Sequence, residues 1–189
     1  MDSFTLKDTD GTTVVFIGDA ATGLFTINSA SPAGQGNSAR YLYGSDGAGK
    51  LRLTRIIAPN ASIADLGTCD VSGAAPAGCR RLDLTYATAT TATASVPGDY
   101  AGRASEVRLK VTDPGDGSAK DYPVARYSYD DQGRLVASWD PRIVPALKTT
   151  YGYTADRVTT MTPPGEQGWT FAYGAANGDT NTGRLFSVT

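Results

Sequence analysis

Apolar and polar residues alternate with a period of two along much of this chain. In Glu106-Val107-Arg108-Leu109-Lys110-Val111-Thr112, the residues Val107, Leu109 and Val111 share one side and charged or polar residues share the other, as in a strand with one wet face. Thr12 to Ile17, Leu24 to Ile27, Leu51 to Ile57, Leu82 to Tyr86, Tyr122 to Tyr129 and Trp169 to Tyr173 read similarly. Turn pairs recur between them at Asp10-Gly11, Gly18-Asp19, Asp46-Gly47, Pro97-Gly98, Asp116-Gly117, Gln132-Gly133, Pro164-Gly165 and Asn177-Gly178. The segments left over are too short for ordinary helices. The longest stretch without Gly or Pro, Cys79 to Val96, centres on the small-residue tract Tyr86 to Ala94. That tract has no apolar stripe of helical period and reads as an edge strand or a loop. Ser29 to Asn37, rich in Ser, Gly, Ala and Pro, reads as a second loop. The fold class expected is all-β.

Composition sharpens this picture. The 189 residues include 22 Gly and 10 Pro, and Glu106 and Glu166 are the only glutamates. Asp favours turns and caps where Glu favours helix interiors, so the imbalance argues for many turns and little helix. With 17 Lys+Arg against 19 Asp+Glu, the chain lacks the basic excess that drives binding to phosphate backbones, and nucleic acid is not an expected partner. No apolar run approaches the roughly 20 residues of a membrane helix, so membrane insertion is not expected. The absence of His removes the commonest general base, the usual partner of nucleophilic Ser and Cys, and the commonest metal ligand.

The last third of the chain repeats itself. Tyr127-Ser128-Tyr129-Asp130-Asp131-Gln132-Gly133-Arg134-Leu135 is followed by Trp139-Asp140-Pro141. The phrase returns without its glycine in Tyr151-Gly152-Tyr153-Thr154-Ala155-Asp156-Arg157-Val158. A third copy begins at Phe171-Ala172-Tyr173-Gly174 and resumes at Gly183-Arg184-Leu185 after a polar insertion. Tyr41-Leu42-Tyr43 with Gly49-Lys50-Leu51 is a fourth, looser copy. In physical terms, aromatics at i and i+2 mark one strand face, an Asp/Gly turn reverses the chain, and Arg-Leu opens the return strand. Each copy is a hairpin, and hairpins laid side by side pair edge to edge and are expected to stack their aromatics into one stripe. The expected product is an extended curved sheet of repeated β-hairpins. Residues 1–120 form an irregular β region holding the loose copy and the Cys69 to Cys79 loop, residues 121–189 hold the regular hairpins, and one continuous structural unit is the expectation.

This phrase resembles the signature of the RHS or YD-repeat family, most closely at Tyr129-Asp130 with Gly133-Arg134-Leu135. The resemblance is clear from about Ala125 to Thr189 and looser back to about Tyr41. It implies a portion of a spiral β-shell from an exported, actinomycete-like bacterial protein, secreted or held at the cell surface, that encloses or presents a C-terminal toxin. The expected partners are then the remainder of the same polypeptide shell and its cargo. Such a module is non-enzymatic and needs no cofactor or metal. The residues it singles out are Tyr127, Tyr129, Asp130, Gly133, Arg134, Leu135, Tyr151, Tyr153, Arg157, Phe171, Tyr173, Gly183, Arg184 and Leu185, as scaffold positions. The chain starts without a signal peptide and stops in mid-phrase, so a fragment of something larger is expected. Cys69 and Cys79 flank a flexible loop. Without His they cannot complete a zinc site; export favours a disulfide and a cytosolic location two free thiols, and the family resemblance points to export and so to the disulfide.

Other motifs have a bland reading and a sharp one. Gly44 to Lys50 satisfies GxxxxGK, but Leu51 stands where a magnesium-binding Ser or Thr belongs and a strand pattern follows in place of a helix. Gly34-Gln35-Gly36-Asn37-Ser38-Ala39 touches the dinucleotide pattern without a strand before it. Asp8-Thr9-Asp10-Gly11 and Asp179-Thr180-Asn181-Thr182-Gly183 look like pieces of calcium loops but lack the terminal acid, and turn chemistry is the expectation. Asp130, Asp131, Asp140 and Asp156 could pair as glycosidase carboxylates, though their placement at turns favours structure. The aromatics Tyr127, Tyr129, Trp139, Tyr151, Tyr153, Trp169, Phe171 and Tyr173 would stack surface sugars if one face were open, which makes a carbohydrate- or cell-surface-binding adhesive module the rival reading.

Overall fold

The alternating segments become strands. A computed structural model describes residues 2–34, 38–45, 50–71, 75–174 and 183–189. Its strands are β1 (Ser3–Lys7), β2 (Thr13–Gly18), β3 (Phe25–Ser31), β4 (Ala39–Ser45), β5 (Leu51–Ile57), β6 (Arg80–Tyr86), β7 (Ala104–Thr112), β8 (Ala119–Tyr129), β9 (Leu135–Trp139), β10 (Lys148–Thr154), β11 (Arg157–Thr162), β12 (Trp169–Tyr173) and β13 (Leu185–Val188). Strand neighbours in the sheet follow the order of the sequence from β1 to β13, so the chain is all-β and built from successive hairpins. Helical structure among the described residues is one 3-10 turn at Leu66–Cys69, where the carboxylate of Asp65 accepts a hydrogen bond from the Gly67 N–H at 2.8 Å.

Several boundaries differ from the sequence reading. Ser3-Phe4-Thr5-Leu6-Lys7 was not among the expected strands, yet β1 pairs with β2 over its full length, from Ser3 opposite Ile17 to Lys7 opposite Thr13. The expected loop at Ser29 to Asn37 starts later, because Ser29, Ala30 and Ser31 pair with Val15, Val14 and Thr13 of β2. A partner that supplies ladder hydrogen bonds overrides the weak strand propensity of Ser and Ala. The Ala/Thr tract after Tyr86 forms no strand, in line with a loop.

The Asp-rich composition is explained by the turns. Asp10 accepts from the Thr12 N–H at 2.7 Å, Asp19 from Ala21 at 3.0 Å, Asp113 from Gly115 at 2.9 Å, Asp116 from Ser118 at 2.8 Å and Asp140 from Arg142 at 2.9 Å. Each carboxylate satisfies a backbone donor two residues ahead, as in Asx-turns.

Two compact units are present, residues 1–85 with 107–122 and residues 86–106 with 123–189. In the first, Ile57, Cys69 and Cys79 are buried, with Leu42, Ile63, Leu66 and Ala75 packed on them. In the second, Tyr129 and Ala137 are the buried apolar residues among those described.

Candidate functional site

In the second unit the hairpin of β8 and β9 turns at Asp130 to Gly133. The Asp130 N–H donates to the Arg134 carbonyl and the Gly133 N–H to the Asp130 carbonyl, both at 3.0 Å, with Gly133 at φ +77°. A turn ending in a left-handed glycine matches the right-handed twist of the strands it joins. The Asp130 carboxylate accepts from the backbone N–H of Gln132 at 3.0 Å and of Arg134 at 2.9 Å, and from Arg134 Nε at 2.7 Å. Although burial acts to raise it, these hydrogen bonds and the Arg134 charge hold the carboxyl below its ordinary value.

Arg134 also reaches the next hairpin. Its guanidinium donates to the Ala155 carbonyl and lies 5.1 Å from the ring centroid of Tyr153. The Tyr153 hydroxyl in turn donates to the Leu135 carbonyl at 2.7 Å. One copy later the geometry recurs. Arg157 lies 5.4 Å from the centroid of Tyr173, whose hydroxyl donates to the Val158 carbonyl at 2.9 Å. One copy earlier, the Tyr129 hydroxyl donates to the Ala104 carbonyl at 2.6 Å. The second aromatic of each phrase thus fastens its strand to the start of the strand before it.

The backbone shows why that tyrosine points back. The register shifts between Ser128 and Tyr129, between Gly152 and Tyr153, and between Ala172 and Tyr173. The loose copy in the first unit has the same irregularity between Leu42 and Tyr43. A bulge at one fixed place re-aims the residue after it. Burial pushes the phenols of Tyr43, Tyr129 and Tyr153 above the ordinary tyrosine value, which keeps them protonated donors. The first aromatics of the phrases, Tyr127, Tyr151 and Phe171, are half-buried opposite Ser138, Met161 and Val188. An aromatic stripe was expected along these hairpins. Among the described residues, ring-on-ring contact instead joins Phe4 to Phe16 and Phe25 in the first unit, while Tyr153 and Tyr173 stack under arginines.

The copy without glycine solves its turn differently. Thr154 pairs directly with Arg157, leaving Ala155 and Asp156 as the loop, and Ala155 takes φ +49°. In the third copy the Gly174 N–H donates to the Arg184 carbonyl at 3.0 Å, matching Asp130 with Arg134. Gly183, Arg184 and Leu185 are exposed; the insertion from Ala175 to Thr182 lies outside the described residues.

A further copy escaped the sequence reading. The Ala87 N–H donates to the Arg103 carbonyl at 2.9 Å, so Leu84-Thr85-Tyr86 stands where Tyr127-Ser128-Tyr129 stands in the regular copy. The return is Asp99-Tyr100-Ala101-Gly102-Arg103-Ala104, with Gly102 at φ +78°, and it carries Asp, Gly and Arg at the spacing of Asp130, Gly133 and Arg134. The Asp-x-x-Gly-Arg spacing was the available signal; the insertion of Ala87 to Gly98 and the alanine in place of leucine hid it. Tyr100 packs its ring on the Gly133 turn, where an added Cβ would come within 2.9 Å of it.

In the first unit, Cys69 and Cys79 form a disulfide. Buried Arg81 donates to the Cys69 and Val71 carbonyls and lies 3.2 Å from Asp83, and Arg55 binds both Asp70 and Asp83. Lys110 adds a third cation to Asp83 at 3.2 Å. Burial acts to raise the Asp83 carboxyl, but the Arg55 hydrogen bonds and the charges of Arg81 and Arg55 hold it below its ordinary value.

Of the remaining motifs, Asp46 to Gly49, Gln35 to Asn37 and Asp179 to Thr182 lie outside the described residues, and Leu51–Ile57 after the GxxxxGK spacing is strand β5, antiparallel to β4. Asp130 and Asp140 are each paired with an arginine of their own turn, and the Arg142 hydrogen bonds hold Asp140 at about 2. No cluster of three metal-ligating side chains occurs among the described residues. No protein-family model matches the chain, and no curated protein matches it.

Proposed function

We propose that this chain is a non-enzymatic structural module, part of a YD-repeat-like shell that encloses or presents a toxin or effector segment of an exported bacterial protein. The observation that carries this reading is the fastening of each copy to the one before it through the second tyrosine and the intervening arginine. Groups that would serve ligands or chemistry, the phenols of Tyr129, Tyr153 and Tyr173 and the guanidinium of Arg134, are engaged by the chain's own backbone and rings. The buried disulfide suits an oxidising compartment. Hairpins added edge to edge also cover strand edges that would otherwise aggregate.

Limited proteolysis of the complete gene product tests the reading. A segment protected in the native protein should become cleavable when Tyr129→Ala and Arg134→Ala open the hairpins. Cleavage at the same rate in the native protein and the variant would remove enclosure as the function.

A further inference from the structure

The interior of the first unit is assembled around its disulfide. Among the described residues of that unit, five are buried: Ile57, Cys69, Cys79, Arg81 and Thr112. Cys69 and Cys79 are the bridge itself. Arg81 donates through Nη1 to the Cys69 carbonyl and, at 2.7 Å, to the Val71 carbonyl. Thr112 holds the other end, its N–H donating to the Cys79 carbonyl at 2.9 Å and its carbonyl accepting from the Gly78 N–H at 2.8 Å. Ile57 packs in one cluster with the two half-cystines.

Charge ties the same segment down. Asp70 binds Arg55, so three consecutive residues, Cys69, Asp70 and Val71, supply acceptors to Arg55 and Arg81. Release of that segment would strand the buried Arg81 guanidinium without its carbonyls, and a buried charge that loses its partners is strongly destabilising. A hollow of about 190 Å³ against the bridge is lined by both cysteines and by Arg81, Lys110 and Lys120, with Asp121 as the carboxylate on that lining. Its positive field favours the thiolate that leaves during thiol–disulfide exchange, which eases reduction. The second unit contains neither cysteine, and its buried apolar residues, Tyr129 and Ala137, owe nothing to the bridge.

We propose that the Cys69–Cys79 bridge is a redox latch on the first unit, which a dithiol reductant opens while the second unit stays folded. One thiolate of the dithiol attacks a sulfur of the bridge, and the other sulfur leaves as a thiolate and takes up a proton. The second thiol of the reductant then resolves the mixed disulfide, leaving two protein thiols and an oxidised dithiol. The latch needs only the first unit's residues, so it holds whether or not the module encloses cargo.

Hydrogen exchange of the full chain in native buffer, with and without dithiothreitol, tests this, with alkylation and mass measurement counting the thiols released. Once the bridge is reduced, amides of β5 and β6 are expected to exchange at least about tenfold faster and those of β9 to β11 to change less than about twofold. Fluorescence of Trp139 and Trp169, both in the second unit, should stay unchanged, and oxidised glutathione should restore the protection. The double variant Cys69→Ser with Cys79→Ser should exchange like the reduced chain and ignore the dithiol. A bridge that dithiothreitol does not reduce in native buffer overturns the proposal, as does reduction without faster exchange in β5 and β6. Equal acceleration in both units, protection that does not return on reoxidation, or a double variant that exchanges like the oxidised chain overturns it too.

Discussion

The hydroxyl of Tyr153 donates to the carbonyl of Leu135 at 2.7 Å, across the step from one hairpin to the next. Leu135 opens the return strand of its own copy, and Tyr153 closes the outgoing strand of the following one. Tyr173 repeats the arrangement on Val158. The tyrosine of the phrase is therefore a connector between copies, and its value to the fold lies in the hydroxyl as well as the ring.

Removing only that hydroxyl isolates the hydrogen bond. Tyr153→Phe is expected to cost about 1 kcal/mol, the usual net worth of such a bond, and Tyr129→Phe at least as much because its ring is buried. Tyr129→Ala should cost about 3 to 5 kcal/mol, as for other buried aromatics. Chemical denaturation of the three variants measures this, and an unchanged midpoint for both Phe variants would show that the phenols fasten nothing.

The two ways of turning predict opposite responses. Gly133 combines φ +77° with a Tyr100 ring 2.9 Å from any added Cβ, so Gly133→Ala should destabilise by about 2 kcal/mol or more, beyond the 1–2 kcal/mol of the left-handed backbone alone. Ala155 already bears the left-handed cost at φ +49°. Ala155→Gly should be neutral or stabilising by up to about 1 kcal/mol, as relief of backbone strain offsets chain entropy. Thermal melts of the pair check the contrast.

Reduction and substitution probe the first unit. Cys69 and Cys79 are 0% and 3% exposed, so a small reductant should reach them only when that region opens. Replacing both with Ser is expected to lower stability by about 2 to 4 kcal/mol. Thiol labelling timed against unfolding, with denaturation of the double variant, tests both statements.

Asp83 gives the pH dependence a sign. Its carboxyl is held below the ordinary value in the folded state by Arg55 and Arg81 despite burial. The stability it contributes is therefore fully present above the unfolded value near 3.8 and is lost as pH falls through the lower folded value. Asp83→Asn should cost about 1.5–3 kcal/mol at neutral pH, as for hydrogen bonds to charged groups. It should also flatten the acid limb of the stability profile. An acid limb identical to that of the native protein would place the responsible carboxylates elsewhere.

Much of the strand map was legible because alternation and turn residues act locally. Leu51–Ile57 and Trp169–Tyr173 carry their pattern on their own residues, and Asp130 to Gly133 encodes its turn within four positions. Ser29 to Ser31 was not legible, because only the β2 partner makes small polar residues a strand. The copy ending in Arg103-Ala104 was obscured by Ala87 to Gly98, an insertion that leaves the two halves of the hairpin distant in sequence and adjacent in space.

By itself, then, the sequence determined that this protein is a succession of antiparallel hairpins, since alternation and Asp/Gly turns are satisfied by neighbours a few residues away. Tertiary structure decided what the repeated side chains do. The place of the bulge before Tyr129, Tyr153 and Tyr173 directs each hydroxyl to the preceding strand, and register sets Arg134 over Tyr153 and Trp139 between Arg126 and Lys148. Those partners lie on other strands, and a side chain's choice among them depends on register and local twist, which arise only when the strands have paired.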